Sequence, residues 1–569
     1  MIIHLLLEIQ EQVFAYCSIE DLQNLAVTNT SYNKALKSHL FKTICIQWDS
    51  LLTDDILSDS RIAFLEYSKF ICIDDMRHLI KSSRDLREEK QSIICENVNW
   101  ILRKSAPRGL EFKNFHLPDN IFQLAGKQSN LQKLGLFGCE NITNQNLDVL
   151  FKNVKDLEFL SIEMCTFRDA DLEKVARLSK LRELSLSKCL RLTDGSLSFV
   201  ASLTLLTKLD ISFNTQLTDE GISLLQTLIN IHELDISACS LLTDKSLRYI
   251  SSAMTSIRIL NANRCTNITD TGMFYVSNAK KIERLSVLST YRTSKLGMFY
   301  LKKLAGTLRC LRVPGWGGVS QKGVPRQYLG YLACLENLEE LVMGPSFSTD
   351  VHDLQALSSL KQLKKLDLSY MSSLSPGGLS HITALPHLED LSLVYCVNSN
   401  HALQQISSIK SLRKLYIGSL WGGEDYDISI LKVLPKLEVL KLNRWQINQT
   451  NIASIGQIIT LKSISFNQSR LGITPDVDFS ALCNLVHLED IDVCGNRNLT
   501  DENIKQLCGL KSIKRLNIGS CTNITDRCLV YLHTLPFLRS VGVTFGNCGI
   551  SKEGLRSLHN VNIIHSEHF

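Results

Sequence analysis

Thr-Asp pairs recur along the chain, and a carboxylate beside a hydroxyl is a combination that general acid or base catalysis could use. The pairs are Thr193-Asp194, Thr218-Asp219, Thr243-Asp244, Thr269-Asp270, Thr500-Asp501 and Thr525-Asp526. Each pair precedes apolar residues spaced three apart, which is typical of one face of a helix. Oxygens at such a place cap the free amides of a first helical turn, at about 1 kcal/mol each. We therefore interpret the pairs as helix caps rather than catalytic carboxylates.

The chain also holds 18 cysteines, whose thiolates could ligate zinc or form disulfides. None forms a C-x-x-C pair, and many share one position with asparagine: Cys139, Cys165, Cys189, Asn214, Cys239, Cys265, Cys396, Asn496 and Cys521. A small side chain there can meet backbone groups of a turn. We expect reduced, buried thiols and no metal, in a cytoplasmic or nuclear protein. No H-E-x-x-H or G-x-S-x-G motif is present, so we expect neither catalysis nor a cofactor.

The elements that carry these residues repeat. A leucine or isoleucine opens an L-x-x-L-x-L-like segment at residues 131, 157, 181, 206, 231, 257, 282, 308, 338, 363, 388, 412, 437, 461, 488, 513 and 538. Leu184 and Leu186 alternate as in a strand, whereas Leu197 and Val200 have helical spacing. Neither element can bury its apolar side alone, so the units must stack. The sequence predicts an α/β solenoid, a horseshoe of about 17–18 repeats over residues 107–569.

The repeated L-x-x-L-x-L-x-x-C pattern, followed by leucine or isoleucine and Thr-Asp, resembles the cysteine-containing subclass of leucine-rich repeats. The fit is best at residues 131–275 and 488–530. Other residue types fill the cysteine position in between: Thr290, Trp316, Ser346, Met371, Leu420, Trp445 and Ser469. The resemblance implies parallel strands lining a concave face, with helices outside.

A different pattern precedes the repeats. Apolar residues three and four apart predict three short helices in an all-α module over residues 1–47. Residues 5–44 resemble an F-box, which implies docking on a Skp-type adaptor through Leu5, Leu7, Ile9, Val13, Phe14, Leu22, Leu25 and Tyr32. Leu6 replaces the proline usual in that family, and Tyr32 replaces its tryptophan. The alternative is a plain helical cap for the solenoid. Residues 48–106 are expected to be a helical linker and N-terminal cap.

Composition narrows the classes of partner. The net charge is +5, and 62 basic residues are scattered among 57 acidic ones, so nucleic acid is not expected. No apolar run reaches the roughly 18 residues of a membrane span, and the start has no basic leader, so we expect neither a membrane segment nor a signal peptide.

A partner would bind along the concave face, where the strands of 17 repeats would form an inner arc of roughly 80 Å. The residues we expect to contact it are Phe213, Arg264, Arg312, Tyr370, Tyr395, Tyr416, Lys441 and Arg444. Tyrosine and arginine dominate interface energetics, and we expect the three tyrosines to stack side by side. The alternative is that they merely cover the strand surface.

The family resemblance implies a non-catalytic function. An F-box followed by cysteine-type repeats is the architecture of substrate receptors of SCF-type cullin-RING ubiquitin ligases, in which other subunits carry the chemistry. One alternative is a repeat scaffold or inhibitor that binds a protein without ubiquitin transfer. Another is a small-molecule-sensing receptor, in which Arg312, Lys441 and Arg444 would contact an anion.

Overall fold

The structure is a computed structural model that describes residues 43–47, 70–74 and 107–565, with gaps inside the last range. The gaps are 114–116, 118, 141, 167, 315–327, 345–353, 372–375, 397–398, 419–425, 468–472, 475–476, 545–548, 552–553, 556 and 559–560. The chain divides into two compact units, Met1–Ile282 and Glu283–Phe569.

The first unit contains parallel strands that pair in chain order. They are β1 (Thr43–Gln47), β2 (Phe70–Asp74), β3 (Gly109–Lys113), β4 (Lys133–Phe137), β5 (Phe159–Glu163), β6 (Glu183–Ser185), β7 (Lys208–Asp210), β8 (Glu233–Asp235) and β9 (Ile259–Asn261). Its α-helices are α1 (Asp119–Gly126), α2 (Asn144–Phe151), α3 (Asp194–Val200), α4 (Asp219–Leu224), α5 (Asp244–Ala253) and α6 (Asp270–Val276). The described part of its outer layer also contains two 3₁₀ helices, Asp169–Arg177 and Leu225–Thr227.

The second unit repeats this arrangement. Its parallel strands are β10 (Arg284–Ser286), β11 (Cys310–Val313), β12 (Glu340–Met343), β13 (Lys365–Asp367), β14 (Asp390–Val394), β15 (Lys414–Gly418), β16 (Val439–Asn443), β17 (Ser463–Ser465), β18 (Asp490–Asp492), β19 (Arg515–Asn517), β20 (Ser540–Val543) and β21 (Asn562–His565). Its α-helices are α7 (Lys295–Leu301), α8 (Pro376–Ile382), α9 (Asn400–Ile406), α10 (Gln449–Ile455), α11 (Asp501–Leu507) and α12 (Arg527–Leu532). The 3₁₀ helices are Lys302–Leu304, Tyr328–Tyr331, Ala356–Ser359, Ile428–Val433 and Phe479–Asn484.

This is the α/β leucine-rich-repeat solenoid fold that the sequence predicts, because β4 to β20 correspond one to one with the 17 segment starts. Alternating apolar and polar residues decide which face of each strand is buried. In β14, Leu391 and Leu393 are buried, whereas Asp390 and Ser392 face the other way. The sheet of each unit thus has one face against the core and one free of the helices, here called the open face. Several outer segments are 3₁₀ rather than α-helical, since the tighter helix suits a short connection.

The strands of the first unit begin earlier than the sequence predicts. We expected residues 48–106 to be helical, but Phe70–Asp74 forms β2, which pairs in parallel with β1 and β3. β1 itself shows that residues 43–47, the end of the predicted all-α module, form a strand rather than a helix. The rest of residues 48–106 lies outside the described residues. The segments Thr43–Gln47 and Phe70–Asp74 read TICIQ and FICID, so they alternate like strands but lack the L-x-x-L-x-L leucines. In these two segments the alternation of side chains alone indicates strands, without the leucine pattern that predicts the later ones.

The recurring cysteine and asparagine side chains join neighbouring repeats. The thiol of Cys189 donates to the carbonyl of Ile162 (3.0 Å), and that of Cys265 donates to Ile236 (3.1 Å). In the second unit Cys521 donates to Val493 (3.2 Å), and the Asn496 amide donates to Phe466 (3.0 Å). Burial raises the pKa of the Cys189 thiol to about 12, so it remains protonated and donates. These contacts confirm that the small side chains meet backbone groups of the turn.

The Thr-Asp pairs have two separate structural roles. Thr218 caps its own helix α4, since its hydroxyl accepts from the Glu220 amide at 3.2 Å, as predicted. Asp219 instead accepts from the next repeat, from the amide of Thr243 (2.9 Å) and its hydroxyl (2.6 Å). Other pairs repeat this link: Asp194 with Thr218, Asp244 with Thr269 and Asp501 with Thr525. The threonines thus cap their helices as predicted, whereas the aspartates join each repeat to the next, a role that the sequence did not indicate.

Candidate functional site

The residue before the cysteine position adopts a left-handed backbone conformation in many repeats. Its φ is 67° at Tyr370, 64° at Tyr395 and 61° at Arg444, a region that bulky residues rarely enter. The turn is held because the amide of Tyr370 donates to the carbonyl of Val394 (2.8 Å), and that of Tyr395 donates to Gly418 (2.9 Å). Three pairs of side chains in this row are in contact: Lys188 with Phe213, Tyr370 with Tyr395, and Tyr395 with Arg444.

Two tyrosines and an arginine form one such contact row in the second unit. The rings of Tyr370 and Tyr395 have centroids 4.8 Å apart and are tilted by 58°. The guanidinium carbon of Arg444 lies 5.4 Å from the Tyr395 centroid, within the range of a cation–π interaction. Burial raises the pKa of Tyr395, with Arg444 lowering it and Tyr370 raising it by a smaller amount. The Tyr395 phenol is therefore neutral and lies beside the Arg444 cation.

The third predicted tyrosine lies in a different row. Tyr416 is in the middle of β15, opposite Ser392 on one side and Lys441 on the other. The Lys441 ammonium lies 5.7 Å from its ring centroid. Ser392 precedes Tyr395 by three residues, or roughly 10 Å along a strand. The expectation of a single stack of three tyrosines was wrong, because Tyr416 is a strand residue and the other two are turn residues. We call Tyr370, Tyr395, Tyr416, Lys441 and Arg444 the tyrosine–arginine patch.

Cations elsewhere on the strands of the second unit are paired. Glu340 accepts from Arg312 through Nε (3.1 Å) and a terminal nitrogen (2.7 Å), and it contacts Arg284 (3.3 Å) and Lys365 (3.6 Å). Burial raises the pKa of Glu340, but these cations outweigh it and hold the pKa below its usual range. Arg312 is thus bound to a carboxylate within the open face, and it lies five strands from Lys441 rather than beside it.

By contrast, Lys414, Lys441 and Arg444 form no ion pair with any described residue. Lys414 was not among the sequence predictions. It lies two residues before Tyr416 on β15, so both side chains point to the open face. Lys414 occupies the same position in its strand as Lys365, which forms an ion pair with Glu340. The sequence therefore does not distinguish the two lysines. Only the contacts between strands show that Lys414 has no carboxylate of a described residue within ion-pair distance.

Phe213 and Arg264 belong to the first unit and are not part of the patch. Both occupy the left-handed row, with φ of 60° and 59°. The Lys188 ammonium lies 5.2 Å from the Phe213 ring centroid, whereas Arg264 is exposed. Two repeats separate them, which places them roughly 10 Å apart. The adaptor residues predicted between Leu5 and Tyr32 lie outside the described residues.

The first unit also contains a groove that sequence reasoning missed. It has a volume of about 440 Å³ and is lined by Glu111, Lys113, Lys133, Gly135, Leu136, Phe137, Phe159, Ser161, Glu163 and Glu183. Gly135 forms a low point on its floor, where an added Cβ would lie 2.9 Å from Cγ of Glu111. Both signs of charge line it, since Lys113 pairs with Glu111 at 3.2 Å.

Among the residues that the structure describes, no cluster of three or more His, Cys, Asp or Glu side chains could hold a metal ion. No helix in the same part of the chain is long and apolar enough to cross a membrane.

No protein-family model matches the chain, and no curated protein matches it. Three solved structures that it resembles are an internalin from Listeria monocytogenes, a TLR13–ssRNA13 complex and a yeast complex of Rad7 and Elc1. The internalin is 21% identical, over 62% of this chain and 89% of its own, with a TM-score of 0.42. The TLR13 structure is 15% identical over 88% and 65%, with a TM-score of 0.35. The Rad7–Elc1 structure is 16% identical over 86% and 99%, with a TM-score of 0.38.

Proposed function

We propose that the chain is the substrate-recognition subunit of an SCF-type ubiquitin ligase. Residues 5–44 bind a Skp-type adaptor, and the open face of the second unit captures a protein. The observation that carries the capture function is the tyrosine–arginine patch, where two cation–π pairs and a tyrosine pair lie on a surface with unpaired cations. The F-box resemblance of residues 5–44 supports the adaptor function.

In this function the chain performs no bond chemistry itself. Holding a target lysine near a charged conjugating enzyme raises its effective concentration, and other subunits supply the reaction. A protein surface of roughly 800 Å² per partner is typical of such capture, and the strands of one unit provide a surface on that scale. Such a ligase works in the cytoplasm or the nucleus.

The adaptor function is tested by co-purification of a Skp-type adaptor with the full chain. We expect Leu7→Glu combined with Phe14→Glu to abolish recovery of the adaptor, because each change places a charge in an apolar contact. Leu190→Glu is the matched control, since this leucine is 58% exposed on a repeat of the first unit.

Equal adaptor recovery by the double variant and the unaltered chain would contradict the F-box function. A protein-binding scaffold without ubiquitin transfer would then be the better account. Loss of the adaptor with the Leu190→Glu control would show that solenoid packing, rather than residues 5–44, governs recovery.

A further inference from the structure

On the strands and left-handed turns of the second unit, the described cations that have no ion pair lie close together. Five basic residues at or directly before the start of a strand in this unit form ion pairs with Glu339, Glu438 or Asp490. They are Arg309, Lys364, Arg413, Lys462 and Arg515. The single carboxylate of Glu340 is shared by Arg284, Arg312 and Lys365. Lys414 is the first residue of β15, Lys441 is the middle residue of β16, and Arg444 directly follows β16. None of the three is in an ion pair with a described residue. Positive charge that the fold leaves unpaired therefore accumulates beside the three tyrosines.

The nearby carboxylates do not neutralise this charge by direct pairing. Asp390 lies opposite Lys414 in the strand register, yet no ion pair joins them. Burial raises the pKa of Asp492, with the amide of Cys494, Ser465, Asn467 and Lys441 opposing that effect. Asp492 is already occupied as an acceptor for Ser465 (3.1 Å) and Asn467 (3.2 Å). The ammonium of Lys441 thus remains available to a carboxylate from outside.

The patch consists of two rows of side chains, and we call the strip between them the furrow. Tyr370, Tyr395 and Arg444 form one row, and Tyr416 with Lys441 forms the other, three residues earlier along the strands. Between the rows the strand register places Val394, Gly418 and Asn443 side by side. Gly418 is buried and has no side chain; an added Cβ there would lie 2.9 Å from the Asn443 carbonyl oxygen and 3.1 Å from Cγ1 of Val394. The furrow is therefore lowest at Gly418, between the side chains of Val394 and Asn443.

Both rows end on a cation at the same side. Arg444 follows Lys441 by three residues, so the two charges lie at the β16 end, whereas Tyr370 and Tyr395 lie at the β13 and β14 end. Three strand spacings separate the ends, roughly 14 Å, which matches about four residues of extended chain. One end of the furrow suits apolar side chains and the other suits an anion.

We propose that this furrow binds a short extended protein segment in which apolar residues precede or follow a carboxylate side chain. The carboxylate lies between Lys441 and Arg444, with Lys414 adding to the field, and the apolar residues contact Tyr370 and Tyr395. Charge-assisted contacts to lysine and arginine fix the acidic end, and the tyrosine faces bind the apolar end. The inference rests on the proposed capture of a protein by the second unit, but not on adaptor docking.

A protein segment fits this charge better than a nucleic acid does. Nucleic-acid binding is dominated by backbone contacts, commonly about 6–10 phosphates. The furrow offers three unpaired cations, and the neighbouring strands carry Asp367 and Asp390. Repeated phosphates would meet those carboxylates, whereas a single carboxylate side chain would not.

The test measures peptide binding to the purified full chain by fluorescence anisotropy. Three pools of short fluorescein-labelled peptides share random apolar positions and differ only in whether their fixed charged positions hold Glu, Lys or Gln. Labelled poly(U) RNA is the fourth probe. We expect the Glu pool to bind at least about tenfold more tightly than the Lys and Gln pools, and added salt to weaken it.

Lys441→Gln combined with Arg444→Gln should weaken binding of the Glu pool about tenfold and leave the Gln pool unchanged. The matched control is Lys432→Gln with Lys436→Gln, which removes the same charge from exposed positions outside the open face. Lys441→Glu with Arg444→Glu should reverse the preference towards the Lys pool. That reversal guards against misreading a folding defect, since an unfolded chain would bind no pool selectively.

Equal binding of the three peptide pools, or tighter binding of poly(U) than of the Glu pool, would overturn the proposal. Loss of Glu-pool binding in the Lys432→Gln, Lys436→Gln control would overturn it as well, because net charge and not the furrow would then decide binding. No adaptor is present in this assay, so failure of adaptor docking would appear only in co-purification and not here.

Discussion

The guanidinium of Arg444 lies 5.4 Å from the ring centroid of Tyr395, although 49 residues of sequence separate them. The two meet because each occupies the left-handed turn position of its repeat. A repeated backbone conformation therefore builds a surface from residues far apart in the chain. The pair also orders Arg444 before any partner binds, and this lowers the entropy lost on association.

Partner capture should depend on the tyrosine rings of this surface. We expect Tyr395→Ala with Tyr416→Ala to weaken capture by about 2 kcal/mol or more, because buried aromatic anchors dominate interface energies. The measurement is recovery of partner proteins by affinity capture from cells, alongside recovery of the adaptor. Adaptor recovery should not change, since the patch lies outside residues 1–47.

Tyr291→Ala is the control for that double variant, because Tyr291 is 61% exposed in the same unit but outside the patch. Its partner recovery should equal that of the unaltered chain. Undiminished capture by the double variant would remove the patch from the binding surface.

The repeat pattern made the strands predictable, whereas the side-chain contacts were not. Each segment start predicts a strand, because alternating leucines reach the core together only when the segment is extended and packs against its neighbouring repeats. The hydrogen bonds of Asp219 were not predictable in this way, since the groups that donate to it belong to the next repeat, whose position is fixed only by stacking. Its sequence position beside Thr218 is equally consistent with a helix cap.

For the candidate site, the sequence predicted which residues face outwards but not how they contact one another. Counting from the segment start places Tyr370, Tyr395 and Arg444 at the eighth position and Tyr416 at the fifth, but the count did not show that the eighth position forms a separate row in the turn. Tyr416 was therefore grouped with a stack it does not join. The pairing of Arg312 also could not be deduced, because its partner Glu340 follows the one interval of 30 residues, where the register was least certain.

Cysteine reactivity should follow burial. Because the thiolate is the reactive form, the buried Cys189 and Cys239, whose pKa values burial raises to about 12, should resist iodoacetamide in the native chain. Cys334 and Cys483 are exposed and should be labelled before these two buried thiols. Mass spectrometry of digests at increasing labelling times measures the order. Labelling of Cys189 as fast as Cys334 would contradict the burial of the repeated cysteine position. Labelling in denaturant provides the reference for full reactivity.

Two glycines provide a matched test of repeat packing. Gly456 follows α10, and an added Cβ would lie 2.3 Å from the Ala481 carbonyl oxygen of the next repeat. We expect Gly456→Ala to destabilise the chain by about 1–3 kcal/mol, because backbone must move to admit the methyl group. Gly306 has no atom within 4 Å of such a Cβ, so Gly306→Ala should change stability by at most about 0.5 kcal/mol. Urea unfolding of both variants compares them directly, and equal losses would show that the repeats are not packed this closely.

The aspartate link between repeats should appear in the pH dependence of stability. Burial raises the pKa of Asp219, but the hydrogen bonds from Ser246 and Thr243 outweigh it and lower the pKa below its usual value. Since the folded pKa is depressed, the stabilisation is complete above the unfolded pKa of about 4 and is lost as the pH falls through the folded pKa.

Asp219→Asn should therefore destabilise the chain by about 1–3 kcal/mol at neutral pH, because an amide presents hydrogens where the next repeat offers donors. The loss relative to the unaltered chain should shrink as the pH falls below about 4. Asp148→Asn is the control, since Asp148 is half-exposed and pairs with the exposed Arg177 at 2.9 Å, a contact of little energetic weight. Chemical denaturation at several pH values gives both differences. A loss for Asp219→Asn that stays constant across this range would mean that its charge does not hold the two repeats together.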